Sequence, residues 1–279
     1  MLGYRHAFHA GNHADVLKHV VLVQLLRHLG QKEKPFSVID THAGAGAYDL
    51  FAAHARKLAE YEGGIGRLWK CGDPPAPVAD YLGLVRRFNP DGRLRKYPGS
   101  PLLALCTLRG QDRLRLFERH GSDAWRLREN FRDAGKRVIV TDTDGFTGLR
   151  ALLPPPSRRA LVLIDPSYEE RQDYERVTDA LEEALRRFPG GIYLVWYPQL
   201  TRLEAIGLPR RLKRLAERWL HAALRVREPS GDGFGMAGSG VVVLNPPWPL
   251  HDALAGALPF LARTLGEDAG AGFTLEQWG

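Results

Sequence analysis

The sequence predicts an α/β fold, one sheet of seven mostly parallel strands covered by helices, with a small helical insertion. Three observations carry this. Short apolar runs at 36–39, 114–117, 137–140, 160–164, 192–196, 223–226 and 241–244 read as strands. Stretches with apolar residues at helical spacing fall between most of them, for example at 15–29, 78–88, 174–188 and 210–221. Such alternation favours a parallel sheet, whose neighbouring strands need a crossover of a dozen or more residues. Lastly, acids or glycines end four of the strands, at Asp40–Gly46, Glu118, Asp142–Gly145 and Asp165. In open α/β sheets that carboxyl end is where ligands bind.

The elements follow in order. Val16, Leu17, Val20, Val21, Leu25 and Leu26 recur at helical spacing, and Asn12 is placed to cap the free N–H groups at the helix start. The run at 36–39 follows Pro35, ends in Asp40 and leads into the tight turn Thr41-His42-Ala43-Gly44-Ala45-Gly46. Glycines there let the backbone turn sharply and let a ligand approach it closely. Gly46 and Leu114 are 68 positions apart, whereas a direct strand–helix–strand step takes about 30 residues. The excess, 52–95, reads as a mostly helical insertion within a single domain spanning 1–279. The connection between 223–226 and 241–244 has no room for a helix, so that pair is expected to be antiparallel.

Composition narrows the class. With 279 residues and 44% hydrophobic content the chain can bury a large core, and global disorder is not expected. The formal net charge of +7 favours a polyanionic partner, nucleic acid first. Cys71 and Cys106 have no metal or redox spacing and suit a reducing compartment. The amino terminus lacks the apolar stretch of a signal peptide, and no segment has the length of a membrane span. A cytoplasmic location without membrane association is expected.

The chemistry concentrates on Asp165-Pro166-Ser167-Tyr168, directly after the apolar run at 160–164. The amine of adenine is a poor nucleophile because its lone pair is delocalised into the ring. A carboxylate at Asp165 and the carbonyl of Pro166 can accept its two hydrogens. The ring of Tyr168 can stack on the base and hold it in line with a methyl donor, and such positioning lowers a barrier by several kcal/mol. Glu118 can accept the hydroxyl hydrogens of a ribose, and Asp144 with Gly145 can read an adenine edge. The third glycine of a dinucleotide fingerprint is missing after Gly44 and Gly46, so S-adenosylmethionine fits better than NAD.

These residues resemble the class I adenine-N6 methyltransferases, whose acceptor motif is an Asp, Asn or Ser followed by two prolines and an aromatic residue. The likeness narrows with YRHAFHAGNHADVLKH at 4–19, DTHAGAG at 40–46, YPGSP at 97–101 and NPPW at 245–248. Together they are similar to the RlmJ family, bacterial enzymes that methylate one adenine of large-subunit (23S) ribosomal RNA. That resemblance implies a Rossmann-like fold with a helical insertion, S-adenosylmethionine as donor, and a monomer acting on RNA free of most ribosomal proteins. By motif it places His19, His42, Ser100, Glu118, Asp144 and Gly145 in the donor pocket, with Asp165 catalytic and near the donor's methionine end. Tyr4 would contact the RNA, with His6 and Lys18 near the reaction centre. Ser167 departs from the motif's second proline. It frees Pro166 from the extended geometry that a following proline imposes. A DNA adenine methyltransferase, and a non-catalytic RNA-binding protein that keeps a nucleoside pocket, remain as alternatives.

Asn245-Pro246-Pro247-Trp248 matches the acceptor motif more closely but ends a strand expected to run antiparallel, so it reads as a structural turn. His9 and His13 have a zinc-compatible spacing without a third ligand, and no metal site is assigned. Arg210, Arg211, Lys213, Arg214 and Arg218 punctuate the expected helix 210–221, whose Leu212, Leu215, Trp219 and Leu220 form an apolar stripe.

Overall fold

The computed structural model describes residues 5–230 and 235–279. The chain runs α1 (His13–Gly30), β1 (Ser37–Asp40), β2 (Ala47–Asp49), α2 (Ala53–Leu58), α3 (Glu60–Gly63), α4 (Ile65–Trp69), α5 (Ala76–Arg87), β3 (Lys96–Pro98) and α6 (Ser100–Thr107). It continues with β4 (Arg113–Phe117), α7 (Gly121–Phe131), β5 (Val138–Thr141), α8 (Gly145–Leu152), β6 (Ala160–Ile164), α9 (Arg171–Arg187) and β7 (Ile192–Gln199). The last elements are α10 (Leu203–Lys213), β8 (Trp219–Arg225), β9 (Gly238–Leu244), α11 (Leu250–Leu265) and β10 (Gly272–Trp278).

One sheet has the order β10-β8-β9-β7-β6-β1-β4-β5. The five strands from β5 to β7 are parallel. β9 is antiparallel to both β7 and β8, and β10 is antiparallel to β8. The chain leaves β1 toward β4 and β5, then returns to lay β6 on β1's other side. The order therefore reverses between β1 and β6, and the crevice at that reversal is where such sheets bind ligands.

β6 is buried on both faces, as its unbroken apolar run requires. Leu161 and Leu163 join a core with α1, α5, α6 and α11. Val162 and Ile164 join a second core with α8, α9 and α10. Asn12 caps α1, its side chain accepting from the N–H groups of Ala14 and Asp15, both at 3.0 Å. Thirteen of the eighteen residues of α1 are buried, including the ionisable Asp15, Lys18 and His19. No helix among the described residues is long and apolar enough to cross a membrane.

The sequence expectation needs two corrections. The sheet has eight strands, because β10 adds an antiparallel edge. That strand has no buried residue, and Phe273 and Trp278 are exposed, so alternation does not mark it. The helix expected at 210–221 ends at Lys213, and Trp219 and Leu220 open β8 instead. A short apolar run fits helix and strand alike, and pairing with β9 and β10 decides for strand. The segment 52–95 carries the helices α2 to α5, and a separate antiparallel ribbon of β2 with β3 flanks it. Its longest helix, α5, packs on α1 and α11.

Candidate active site

A cavity of about 690 Å³ opens at the carboxyl ends of the parallel strands. His6, Lys18, His19, His42, Gly44, Ser100, Glu118, Asp144, Gly145, Asp165 and Pro166 all line it. Residues spread from position 6 to position 166 thus converge on one site. Tyr4 lies outside the described residues. Gly46 is buried and does not line the cavity.

The loop after β1 forms one wall. Gly44 and Gly46 have φ of 61° and 80°, a left-handed backbone that other residues adopt with strain. The turn is held from outside: Gly44 N–H donates to Glu118 Oε2 at 2.8 Å, and Gly99 N–H to the Gly46 carbonyl at 2.8 Å. Opposite, Gly145 opens α8 so close to Thr41 that an added Cβ would sit 2.0 Å from the Thr41 carbonyl oxygen. Asp144 caps that helix by accepting from Thr147 N–H at 3.0 Å, and Arg176 pairs with its other oxygen. Burial alone would raise the Asp144 carboxyl, but the Thr147 N–H and Arg176 hold it low. Burial also raises Glu118, against the N–H groups of His120 and Gly44 that it accepts from. Each of its oxygens takes one backbone hydrogen and keeps a second lone pair for a ligand.

Polar residues of α1 form the floor. Lys18 Nζ donates to Asp165 Oδ2 at 2.6 Å and lies 2.8 Å from Asp15 Oδ1. Asp15 Oδ2 also takes His6 Nε2 at 2.9 Å and the Gly11 N–H at 2.8 Å. Burial disfavours both charges, yet each holds the other: Lys18 is pushed up by Asp15 and Asp165, and Asp15 is held well below its usual range by His6 and Lys18. Burial drives His19 down to about 3, so it is neutral at pH 7. Its Nδ1 shares a hydrogen with the Tyr97 hydroxyl at 2.7 Å, and Nε2 makes no hydrogen bond among the described residues, with Asp15 Oδ1 3.9 Å away.

Sequence reasoning assigned no role to Asp40 beyond the turn it opens, nor any to Asp15 or Trp196. Asp40 accepts from Ser100 Oγ at 2.7 Å and from the His42 N–H at 3.2 Å, so it sets two cavity-lining groups at once. Burial pushes its carboxyl up to about 6, against the Ser100 hydrogen bond. Asp15 carried a signal, since it, Lys18 and His19 are ionisable residues within one turn of an otherwise apolar helix. Trp196 carried none, because an aromatic residue in a central strand reads as core.

Tyr168 needs a correction. Its side chain was expected to face the base, but it is 2% exposed. Its hydroxyl donates to the Trp196 carbonyl at 2.7 Å, and its ring lies 4.7 Å from Tyr174. A left-handed backbone at Tyr168, with φ of 54°, turns the ring into the core between β6, β7 and α9.

The reversal of strand order, the glycine turn on β1 and the acid-proline turn on β6 define a Rossmann-like class I methyltransferase. The family model described as "Ribosomal RNA large subunit methyltransferase D, RlmJ" matches residues 33–278. The chain is 45% identical to "Ribosomal RNA large subunit methyltransferase J" of Escherichia coli, across 100% of this chain and 99% of that one. It is 46% identical to the protein of the same name from Haemophilus influenzae, across 99% and 98%. A crystal structure of a Legionella pneumophila protein superposes with a TM-score of 0.90 at 34% identity, covering 97% of this chain and 98% of that one. The chain belongs to the RlmJ family.

Proposed function

We propose that this protein transfers a methyl group from S-adenosylmethionine to the N6 amine of an adenine in large-subunit ribosomal RNA. The observation that carries the reading is Asp165, which stands on the cavity wall at the reversal of strand order, hydrogen-bonded to a buried lysine. Membership of a methyltransferase family supports the donor, and the printed names of the relatives support the substrate class.

The cavity residues fit that donor. Glu118 keeps lone pairs for ribose hydroxyls, and the glycine turn leaves its backbone open to a nucleoside. His19, whose Nε2 makes no hydrogen bond, and Ser100 line the cavity and would hold the amino-acid end. When bound, S-adenosylmethionine supplies a sulfonium methyl group and leaves as a neutral thioether.

This chain's own residues prepare the acceptor. Asp165 and the Pro166 carbonyl accept the two amine hydrogens and localise the nitrogen lone pair. Lys18 occupies Asp165 Oδ2 in this structure, so an arriving amine displaces it toward Asp15, which already lies 2.8 Å away. The ammonium then keeps a buried partner and its charge. Asp165 takes the surplus proton after transfer and passes it to solvent. By the family motif Tyr4 contacts the RNA, and His6, which lines the cavity, belongs near the reaction centre. The protein acts as a cytoplasmic monomer on RNA that ribosomal proteins do not yet cover. The +7 charge favours that polyanion.

The test incubates the protein and isotope-labelled donor with deproteinised large-subunit RNA, assembled large subunits or DNA, then identifies the modified nucleoside. N6-methyladenosine in the deproteinised RNA is expected. Label in DNA would replace the reading with the DNA enzyme, and donor binding without transfer would leave a non-catalytic RNA-binding protein.

A further inference from the structure

Aromatic rings beside an exocyclic-amine acceptor are the natural platform for a flipped base, since stacking fixes a base without reading its edge. The acceptor turn's own ring, Tyr168, is withdrawn into the core. The cavity has another. Trp196 lies in β7, the strand beside β6, and its side chain lines the wall together with Asp165 and Pro166. Lys18 Nζ stands over its indole, 5.9 Å from the ring centroid, while lying 2.6 Å from Asp165 Oδ2. One point in the cavity therefore lies 5.9 Å from the centre of the Trp196 ring and within hydrogen-bond reach of the carboxylate.

We infer that Trp196 is the stacking platform for the target base, and that Tyr168 is its buttress. This rests on the reading that the acceptor is an adenine amine. A base lying on the indole at about 3.5 Å contact distance puts a group 5.9 Å from the centroid about 5 Å off the ring axis. That offset matches the reach of an exocyclic amine from the centre of a purine whose rings overlap the indole in the favoured offset manner. The amine that displaces Lys18 from Asp165 thus carries its ring over Trp196. Tyr168 serves the arrangement from behind: its hydroxyl holds the Trp196 carbonyl, and its ring packs 6.0 Å from the indole. The left-handed turn that buries Tyr168 leaves this face of the cavity to the neighbouring strand.

The experiment compares wild-type protein with Trp196→Phe and Trp196→Ala in two assays. For methyl transfer to deproteinised large-subunit RNA, Trp196→Ala is expected to lower kcat/KM about 10- to 100-fold, the range of one lost base–aromatic stack. Trp196→Phe keeps transfer within about fivefold of wild type, because phenylalanine retains a π face. Affinity for S-adenosylmethionine, read by calorimetry, stays unchanged in both. In the second assay 2-aminopurine riboside monophosphate is titrated with protein, and its fluorescence is quenched by wild type and Trp196→Phe but not by Trp196→Ala. Full transfer by Trp196→Ala overturns the inference. So does equal impairment of both variants, or a loss that tracks weakened donor binding, since either marks a structural role. Should wild type transfer nothing to RNA, the functional reading falls, and the quenching difference alone still decides the stacking role.

Discussion

Asp165-Pro166-Ser167-Tyr168 and Asn245-Pro246-Pro247-Trp248 each follow a buried strand, and each contains a non-glycine residue with positive φ, 54° at Tyr168 and 56° at Asn245. By letters alone the second is nearer the acceptor motif. The difference lies in strand direction. β6 is parallel to β1, so Asp165 emerges beside the glycine turn. β9 is antiparallel to β7, so Asn245 emerges at the opposite end of the strands, beside the start of β7. There its amide donates to the carbonyls of Pro189 at 2.7 Å and Gly191 at 2.8 Å, just before β7 begins. Asp165 faces a lysine and a cavity, whereas Asn245 staples a loop and Trp248 points to solvent at 81% exposure. A motif acquires chemistry from the end of the sheet on which it falls.

The sharpest way to break this comparison is to remove the first residue of each motif. Asp165→Ala is expected to lower methyl transfer by about a thousandfold or more, the combined loss of positioning and proton acceptance. Asn245→Ala should stay within about threefold of wild type in transfer while losing about 1–3 kcal/mol of stability in urea unfolding, because two carbonyls lose their donor. The opposite pattern would exchange the two assignments.

Next in size is Lys18→Met. It leaves Asp15 enclosed with one cation fewer, and breaking such a buried network costs about 3 kcal/mol or more. The expected outcome is a lowered unfolding midpoint together with slower transfer. A variant as stable as wild type would show that Asp15 is neutral in the fold, against the lowering of its carboxyl by His6 and Lys18.

Acidification gives a smaller, graded effect on the first region. Burial lowers His19 to about 3, and His13 and His42 to about 4. Between those values and the unfolded value near 6.5 the unfolded chain binds more protons. Stability therefore falls as pH drops through that window, by up to about 1.4 kcal/mol per pH unit for each group. Asp40, raised to about 6, acts oppositely: between 3.8 and 6 the folded form binds the proton, so its contribution declines as pH rises. Three histidines outweigh one aspartate, and a net loss of stability from pH 6.5 to 4.5 is expected in urea titrations. His19→Gln should flatten that slope, and an unchanged slope would place the titration elsewhere.

The smallest effect is expected from Ser167→Pro, which restores the motif's second proline. Transfer should be retained or rise by less than about threefold, since proline only narrows the backbone choices of Pro166. A large loss would show that the half-buried serine is required for the turn that buries Tyr168.

Much of this was legible in the chain. Alternating strands and helices and the Asn12 cap follow from local periodicity and spacing. Asp165, Glu118 and the glycine turn stood out because they end apolar runs. The helix expected at 210–221 gives way to β8 because Trp219 and Leu220 suit either period. Neither β10 nor Trp196 could be found that way, since an edge strand with exposed rings lacks alternation and an aromatic residue in a central strand lacks polarity.

What the sequence determined by itself was the order of elements and the chemical character of each strand end, because backbone period and turn chemistry act over a few residues. Tertiary structure decided which ends meet. Strand direction sent Asp165 to the cavity and Asn245 away from it. The left-handed turn at Tyr168 withdrew one ring and left another, Trp196, beside the acid. Such outcomes arise from pairing and burial between residues far apart in the chain, and no local pattern encodes them.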